Sequence, residues 1–384
     1  MRFDFATAGQ ILFGEGRLAD VTPAAARLGE RALLVTGSNG ERAAPLVAAL
    51  RAKALACVPL CICGEPTVEG IRTGAEAARD ERCDLVIAMG GGSVIDAGKA
   101  FAAMLANPGE PLDYLEVIGR GQPLAHPSVP CIAIPTTAGT GSEVTRNAVL
   151  ASPGRRVKAS LRSAYMLPTM AVVDPALTLG LPRALTASTG LDALTQLIEP
   201  YVSTRANPLT DLFCVEGMRR AASALPRVWE NGGDREARAS MAWASLLGGL
   251  ALANAGLGAV HGFAAPLGGM FPIPHGAACA AVLPHAIEIN LRALRQRHPH
   301  HTALNRYEEV ARILTGRPQA TAEDGARWIA ALCRKLEIPP LRAYGVTDAD
   351  IPVLVENAAR ASSMQANPLA LTAEELMEMV SRAL

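Results

Sequence analysis

Aromatic residues are scarce in this chain of 384 residues, at 4%, and neither charge is in excess, since 36 Lys and Arg balance 36 Asp and Glu. Base-stacking surfaces require aromatic side chains, and the surfaces that bind nucleic acid or anionic membranes require clustered positive charge. We therefore expect neither nucleic acid nor a membrane surface as a partner. The length suggests two domains.

The eight cysteines include no CxxC pair. Cys61 and Cys63 are near neighbours, but no second pair completes a zinc site of the usual spacing. Because most of the cysteines stand among apolar residues, we expect reduced, buried thiols and a cytoplasmic protein. The N-terminal residues lack the long apolar run of a secretory signal.

Acidic and basic residues are also missing from the whole stretch between Ala242 and Pro274. The stretch is long enough to cross a bilayer, but glycines, prolines and Asn254 interrupt it, and no basic cluster follows it. We predict a central helix buried inside a helical domain, with an apolar helix from Ala244 to Val260 leading into His261.

The N-terminal half alternates short apolar runs with helical patterns, which predicts parallel βαβ units. The most informative run is Leu85–Met89, which is followed by the three glycines 90–92 and by a helical pattern that Ser93 opens. Glycines let backbone N–H groups approach a ligand at a helix N-terminus, an arrangement that binds phosphate. An ordinary glycine-rich turn without a ligand is the alternative.

An acidic residue often follows an early strand in such units, where it binds the ribose hydroxyls of NAD. Here the strand Arg31–Thr36 is followed by Gly37 and Ser38 instead, with Arg42 nearby. The missing carboxylate leaves room for a 2′-phosphate. We therefore hypothesise that NADP is tolerated or preferred.

A second loop, Pro135–Thr145, follows another predicted strand and carries two glycines and five hydroxyl residues. Open α/β sheets bind ligands at such strand ends, although a solvated turn is the alternative. Beyond about residue 180 the strand patterns disappear and helical patterns continue to the end. We predict an α/β N-terminal dinucleotide-binding domain, 1–180, and an all-α C-terminal domain, 181–384.

The helical half carries a dispersed set of polar residues. Asp192 and Gln196 are four residues apart on a predicted helix, so they share one face. His261 and His275 lie in separate later segments. An Asp with two His predicts a divalent metal site, and hydrogen-bonded core polar groups are the alternative. The cluster His298–His301 has arginine neighbours and is predicted to be a surface turn rather than a metal site.

Together these motifs resemble the iron-containing (group III) alcohol dehydrogenases. The matching segments are Gly90-Gly-Gly-Ser-x-x-Asp96-x-x-Lys99, Pro135-Thr-Thr-x-Gly-Thr-Gly-Ser-Glu-Val-Thr145, Asp174-Pro-x-Leu-Thr178, Gly190-x-Asp-Ala-Leu-Thr195, Asn254-Ala-Gly-Leu-Gly-x-x-His261, Pro274-His-Gly276, and Asn367-Pro368 before Leu371–Leu376. The resemblance runs from about Phe13 to the C-terminus. It implies the dehydroquinate synthase-like architecture of that family, with NAD or NADP and one divalent metal, Fe²⁺ or Zn²⁺.

The resemblance also implies roles for individual residues. Gly91, Gly92 and Ser93 would hold the pyrophosphate, and Thr136, Thr137, Ser142, Thr145 and Lys158 would line the rest of the cofactor site, to which we add Gly37 and Asp96. Asp192, Gln196, His261 and His275 would hold the metal, so Asp192, His261 and His275 are also the expected catalytic residues. A homo-oligomer, a dimer or larger, is implied as well.

Two positions depart from the family pattern, which has histidine where this chain has Gln196 and Ala265. A neutral amide oxygen binds Fe²⁺ or Zn²⁺ less well than imidazole does. We expect a metal-dependent, NAD(P)-linked oxidoreductase that interconverts an alcohol with an aldehyde or ketone by hydride transfer. The segment 262–273 is apolar and mostly small, which favours a modest carbonyl substrate.

Three alternatives stay open. The first is a metal-free reductase of an oxo-acid that resembles maleylacetate reductase, although those enzymes carry asparagine at the position of Asp192. The others are a fold-related lyase or cyclase and a nucleotide-binding protein without catalysis.

Overall fold

The computed structural model describes residues 2–384, which form two compact units. One unit comprises residues 6–137 and 141–178, and the other comprises residues 2–5, 138–140 and 179–384. The sequence suggested a single division near residue 180 and gave no sign of the two short segments. The segment 138–140 belongs with the helical unit because Gly139 approaches Thr189 so closely that a Cβ there would lie 2.8 Å from the threonine Cβ.

The first unit is built on a six-stranded parallel sheet in the order β1-β8-β5-β4-β2-β3, and a two-stranded antiparallel ribbon, β6-β7, accompanies it. The strands are β1 (Gln10–Phe13), β2 (Arg31–Gly37), β3 (Ala56–Ile62), β4 (Leu85–Gly90), β5 (Cys131–Pro135), β6 (Asn147–Ser152), β7 (Val157–Arg162) and β8 (Met170–Val173). The predicted parallel βαβ units are thereby confirmed.

Helices cover both faces of this sheet. Their bounds are α1 (Val21–Leu28), α2 (Ala44–Ala52), α3 (Val68–Asp80), α4 (Gly92–Ala106) and the short α5 (Pro111–Tyr114). Alternate residues of β4 enter different cores: Val86 packs in the cluster that contains Phe101 of α4, and Ile87 packs in the cluster that contains Leu46 of α2. Burial on both faces explains why β4 reads as an unbroken apolar run.

The second unit is all helical, as the sequence predicted. Its helices are α6 (Arg183–Val202), α7 (Pro208–Glu230), α8 (Arg235–Ala255), α9 (Ala259–Met270), α10 (His275–Arg297), α11 (Thr302–Thr315), α12 (Ala322–Lys335), α13 (Ile351–Arg360) and α14 (Ala373–Ala383). Helix α6 begins directly after Pro182, and its residues 190–202 are all buried. A helix that is buried on all sides forms the centre of a helical core.

The single buried helix predicted across Ala242–Pro274 is wrong, because two helices share this stretch. α8 ends at Ala255, α9 begins at Ala259, and their axes are bent by 101°. Gly256 has a φ of +74°, and a Cβ there would meet the Ala366 Cβ at 3.0 Å. The positive φ of Gly256 ends α8, and glycines in such a conformation often end helices.

The membrane test by length and composition is met by one helix among residues 2–384. This is α10, and 83% of its most apolar window is buried inside the protein. Helices α8 and α9 meet the same test only when they are counted as one span across their bend.

The cysteine prediction needs a partial correction. All eight cysteines are free thiols, but Cys61 and Cys63 are exposed and Cys57 is half-buried. The first two stand at the end of β3, which is an edge strand with a neighbour on one side only. Apolar neighbours in the sequence therefore did not bring burial at this edge.

Candidate functional site

The glycine-rich turn joins β4 to α4. A Cβ on Gly90 would lie 2.6 Å from Val94, and a Cβ on Gly91 would lie 3.5 Å from Thr137. A Cβ on Gly37, at the end of β2, would touch Val94 at 3.7 Å. Several predicted cofactor residues thus lie near the first turn of α4, at one edge of the sheet: Gly37, Gly91, Gly92, Ser93, Thr136 and Thr137.

A buried lysine organises the second loop. Lys99 of α4 has a side chain with no exposed surface, and its Nζ donates to the Ser142 carbonyl at 2.9 Å, to the Ser142 Oγ at 2.6 Å and to the Thr145 Oγ1 at 2.9 Å. Asp96 lies 3.1 Å from Lys99 and accepts hydrogen bonds from the Ser142 hydroxyl and, at 2.9 Å, from the Val149 N–H. Asp96, Ser142 and Thr145 therefore hold the loop against α4, and their contact with a cofactor stays a prediction.

The same loop contains Glu143, a buried carboxyl group whose pKa is raised. Glu143 is 2% exposed. Burial raises its pKa to about 7, although a backbone hydrogen bond and the charge of Lys99 act in the opposite direction. Burial in a medium of low polarity disfavours the charged carboxylate.

Lys158 lies on β7, and its Nζ is 3.1 Å from the Glu65 Oε1, with 5% of the lysine side chain exposed. Its predicted contact with a cofactor is untested and stays a prediction. In the structure, Lys158 forms an ion pair with Glu65, which follows β3.

The helical unit brings together the predicted metal ligands of α6, α9 and α10. The Asp192 Oδ1 lies 3.5 Å from the His261 Nε2 and 3.6 Å from the His275 Nε2. Cys279 joins them, with its Sγ 3.8 Å from each of the two imidazole Nε2 atoms. The four ligand atoms all lie within 4.8 Å of one another.

Packing explains how two helices present one cluster. Gly276 stands at the start of α10, and a Cβ there would lie 2.3 Å from the Ser188 carbonyl oxygen and 3.3 Å from the Asp192 Cβ. Only a glycine allows this close approach of α10 to α6. His275 and Cys279 are four residues apart, so both project from one face of α10.

Two buried oxygen atoms at this place lack the usual hydrogen bonds. The Asp192 Oδ1 and the Gln196 Oε1 are inaccessible and have no hydrogen-bond partner among residues 2–384. An unpaired buried carboxylate oxygen is costly unless a cation or a proton compensates it. Burial acts to raise the pKa of Asp192, but the neighbouring His275 and His261 outweigh burial and lower it.

Glu199 fixes the orientation of His261. The imidazole Nδ1 lies 2.6 Å from the Glu199 Oε2, and the Glu199 Oε1 accepts a hydrogen bond from the Val260 N–H at 2.7 Å. With Nδ1–H donated to this carboxylate, the lone pair of the neutral ring is on Nε2, which faces Asp192.

Both histidines hold protons more tightly than usual in the metal-free protein. Burial lowers the pKa of each ring, but the neighbouring Cys279 and carboxylates outweigh burial. The pKa of His261 stands well above its ordinary value, and that of His275 is raised to about 9. Carboxylates beside the two imidazoles favour the cationic form, and they would favour a metal cation for the same reason.

Sequence reasoning missed Glu199 and Cys279. Glu199 follows Asp192 by seven residues on the predicted helix, and Cys279 follows His275 by four. These helical spacings were readable and place each residue on the same face as a predicted ligand. His298–His301 takes no part in this cluster: His301 accepts a hydrogen bond from the Ala303 N–H at the start of α11, and His298 and His300 are exposed.

Family models and curated relatives match both halves of the chain. A model described as iron-containing alcohol dehydrogenase matches residues 8–175, and one described as Fe-containing alcohol dehydrogenase family, C-terminal, matches residues 186–384. Alcohol dehydrogenase 4 of Schizosaccharomyces pombe is 39% identical over 320 residues, which is 83% of this chain and 73% of that protein. The NAD-dependent methanol dehydrogenase of Bacillus methanolicus is 36% identical over 321 residues, 83% of this chain and 82% of that protein.

Solved structures agree with these matches. The structure of a 1,3-propanediol oxidoreductase superposes with a TM-score of 0.91 at 32% identity, covering 100% of both chains. An alcohol dehydrogenase from Oenococcus oeni gives the same TM-score, identity and coverage. The predicted fold class is thereby confirmed, and the chain belongs to the iron-containing alcohol dehydrogenase family.

Proposed function

We propose that Asp192, His261 and His275 hold a divalent metal ion on which this chain interconverts an alcohol with an aldehyde or ketone. The observation that carries the proposal is the buried Asp192 Oδ1, which has no hydrogen-bond partner in the described part of the chain and lies 3.5 and 3.6 Å from two imidazole nitrogens. A carboxylate and two imidazoles form a donor set that suits Fe²⁺ or Zn²⁺. The residues therefore fit the metal that the family implies.

The activity itself follows from family membership. The chain is an NAD(P)-linked oxidoreductase of the alcohol dehydrogenase type, as the sequence predicted. Its cofactors are a nicotinamide dinucleotide and a divalent metal. The alternatives without catalysis or with lyase chemistry are set aside for this reason.

The metal supplies Lewis-acid chemistry when it is bound, because it polarises the carbonyl oxygen of the substrate. By accepting from the Nδ1 side of the ring, Glu199 would leave Nε2 of the neutral His261 as the nitrogen that binds the metal beside Asp192. The His275 side chain is 35% exposed, whereas those of Asp192 and His261 are 2% and 5% exposed. We infer that the substrate oxygen reaches the cluster from the side of His275.

For the cofactor we propose the predicted residues of the α/β unit. Gly91, Gly92 and Ser93 stand at the N-terminus of α4, where backbone N–H groups and the helix dipole favour a pyrophosphate. Gly37 ends β2 without a carboxylate after it, which supports use of NADP. Comparison of kcat/KM for NAD and NADP tests this point, and a strong preference for NAD would contradict it.

Three further features remain proposals. We propose a homo-oligomer, supported by the resemblance alone, whose subunit number light scattering would measure. A cytoplasmic location is supported by the eight free thiols. A small carbonyl substrate is supported by the apolar segment 262–273 before the last ligand.

The decisive experiment measures NADH and NADPH oxidation on a panel of short aldehydes and ketones before and after metal removal. We expect activity that is lost with a chelator and restored by Zn²⁺ or Fe²⁺. Full activity of the metal-free protein, above all with an oxo-acid, would instead favour the metal-free reductase. His300→Ala serves as the control, since it removes an exposed histidine outside the cluster.

A further inference from the structure

The cluster of Asp192, His261 and His275 contains a sulfur atom as well, that of Cys279. Cys279 has no exposed surface, and its Sγ stands 3.8 Å from the Nε2 atoms of both His261 and His275. It belongs to the group whose ligand atoms lie within 4.8 Å of one another. Gln196, four residues after Asp192, offers only a neutral amide oxygen.

The spacing of these atoms suits four donors around one ion. Zinc binds nitrogen or oxygen at about 2.0–2.2 Å and sulfur at about 2.3 Å, so a tetrahedron has N–S edges of about 3.6 Å and N–O edges of about 3.4 Å. The observed N–S separations are 3.8 Å, and the N–O separations are 3.5 and 3.6 Å. A contraction of about 0.1–0.2 Å would bring these four separations to the tetrahedral values.

We propose that the Cys279 thiolate is the fourth protein ligand of the metal and makes this an Asp-His₂-Cys site that prefers Zn²⁺ to Fe²⁺. This inference rests on the proposed function, because it assigns one more ligand to the same ion. On binding, the S–H bond of Cys279 breaks, an S–metal bond forms, and the proton passes to solvent. Thiolate is a soft donor, which favours zinc.

The packing of α10 against α6 explains why Cys279 lies close enough to bind the proposed ion. The close approach at Gly276 sets the first turn of α10 against α6, next to Asp192. Cys279 lies one turn further along α10, on the face that carries His275. A buried cysteine that lacked Asp192 and His275 nearby would be an ordinary buried thiol, as Cys214 of α7 is.

Reconstitution with Co²⁺ tests the proposal, since cobalt reports its ligands by absorption. The parent for this experiment is the double variant Cys61→Ser, Cys63→Ser, because these exposed sulfurs lie 3.6 Å apart and would bind cobalt themselves. We expect visible bands of bound cobalt together with a near-ultraviolet thiolate-to-cobalt charge-transfer band. Cys279→Ser should lose the charge-transfer band, and the control Cys214→Ser should keep it.

The outcomes separate the two claims. Visible bands without a charge-transfer band in the parent, or a charge-transfer band that survives Cys279→Ser, would overturn the assignment of Cys279 and leave the metal-dependent function standing. Failure of the parent to retain cobalt or zinc would overturn both.

A second measurement needs no variant at Cys279. X-ray absorption of the zinc-loaded parent should show one sulfur at about 2.3 Å among nitrogen and oxygen ligands. A shell of nitrogen and oxygen alone would contradict the proposal. In competition with a chelator, Cys279→Ser should bind Zn²⁺ more than about tenfold more weakly than the parent, since even indirect partners of a metal contribute that much. Equal affinity would overturn the assignment.

Discussion

The two units bury charged groups in different ways. In the α/β unit, Lys99 and Asp96 are joined to each other and to the loop residues Ser142 and Thr145 by hydrogen bonds. In the helical unit, the buried Asp192 has an oxygen to which none of the described residues, 2–384, donates a hydrogen bond. The first arrangement is complete without a ligand, whereas the second would gain a partner from the proposed metal ion. The loop Pro135–Thr145 is thus held by protein contacts alone, whereas the proposed metal site is marked by a buried oxygen that lacks such a contact.

The largest effect is expected at the incomplete site. His261→Ala removes a buried side chain that we propose as a metal ligand, and it leaves Asp192 and Glu199 without their imidazole partner. We expect loss of turnover by more than about 10³-fold, because the Lewis acid is no longer held, together with loss of bound metal. Steady-state kinetics and metal content measure both.

The matched control for this change is His300→Ala, which alters an exposed histidine. Turnover by His261→Ala within tenfold of the parent, with the fold intact by circular dichroism, would contradict the ligand assignment.

Lys99→Met tests the network in which Lys99 binds Asp96 and the loop residues Ser142 and Thr145. The change leaves Asp96 without its cation and the loop acceptors without their donor, and we expect a loss of about 3–5 kcal/mol in the free energy of unfolding. Metal affinity should stay unchanged, because the cluster lies in the other unit. Urea unfolding and metal competition give the two readouts.

Lys53→Met, at an exposed lysine, is the control and should change stability by less than about 0.5 kcal/mol. A Lys99→Met variant as stable as the control would refute the role given to the network.

Glu199→Gln sharpens the comparison, since it perturbs the metal site without removing a ligand. The carboxylate accepts from both the Val260 N–H and the His261 ring, and an amide has only one oxygen for two donors. We expect metal affinity to fall by about 10–100-fold, as for other partners of ligating histidines. Glu236→Gln, at a side chain that is 80% exposed, is the matched control. Unaltered affinity in Glu199→Gln would show that Glu199 does not orient His261.

A separate effect concerns pH and the loop carboxyl Glu143. Its pKa is raised from 4.5 to about 7 by burial, so between these values the folded protein holds a proton that the unfolded chain has released. Stability should therefore fall as pH rises from about 4.5 to about 7 and level off above, by on the order of 3 kcal/mol from this group.

Glu143→Gln removes this dependence. Relative to the parent, the variant should be more stable at pH 8 than at pH 5, as measured by urea unfolding at both pH values. Parallel curves for the two proteins would refute the raised pKa.

The sequence was most informative where a local pattern determines local structure. The run Leu85–Met89 before three glycines predicted a strand, a turn and a helix, and the structure has all three. Asp192 and Gln196 were placed on one helix face by their spacing. The helix break at Gly256 was missed because apolar periodicity continues across it, while its close contact with Ala366 comes from a segment far along the chain.

The composition of the metal cluster was only partly readable for a related reason. The meeting of α6, α9 and α10 depends on packing, above all on the contact at Gly276, which no local pattern reveals. The residue types and the family resemblance both predicted Asp192, His261 and His275, but neither pointed to Cys279, a residue at a spacing of four from a predicted ligand. Burial of the Asp192 oxygen without a partner became visible only in three dimensions.

Metal content is the most direct test of the claim that the cluster around Asp192 is incomplete without a cation. The protein would be purified anaerobically without chelators and analysed for iron and zinc against protein concentration. We expect about one ion per chain, with zinc in excess over iron. A protein that holds neither metal, even after reconstitution, would contradict it.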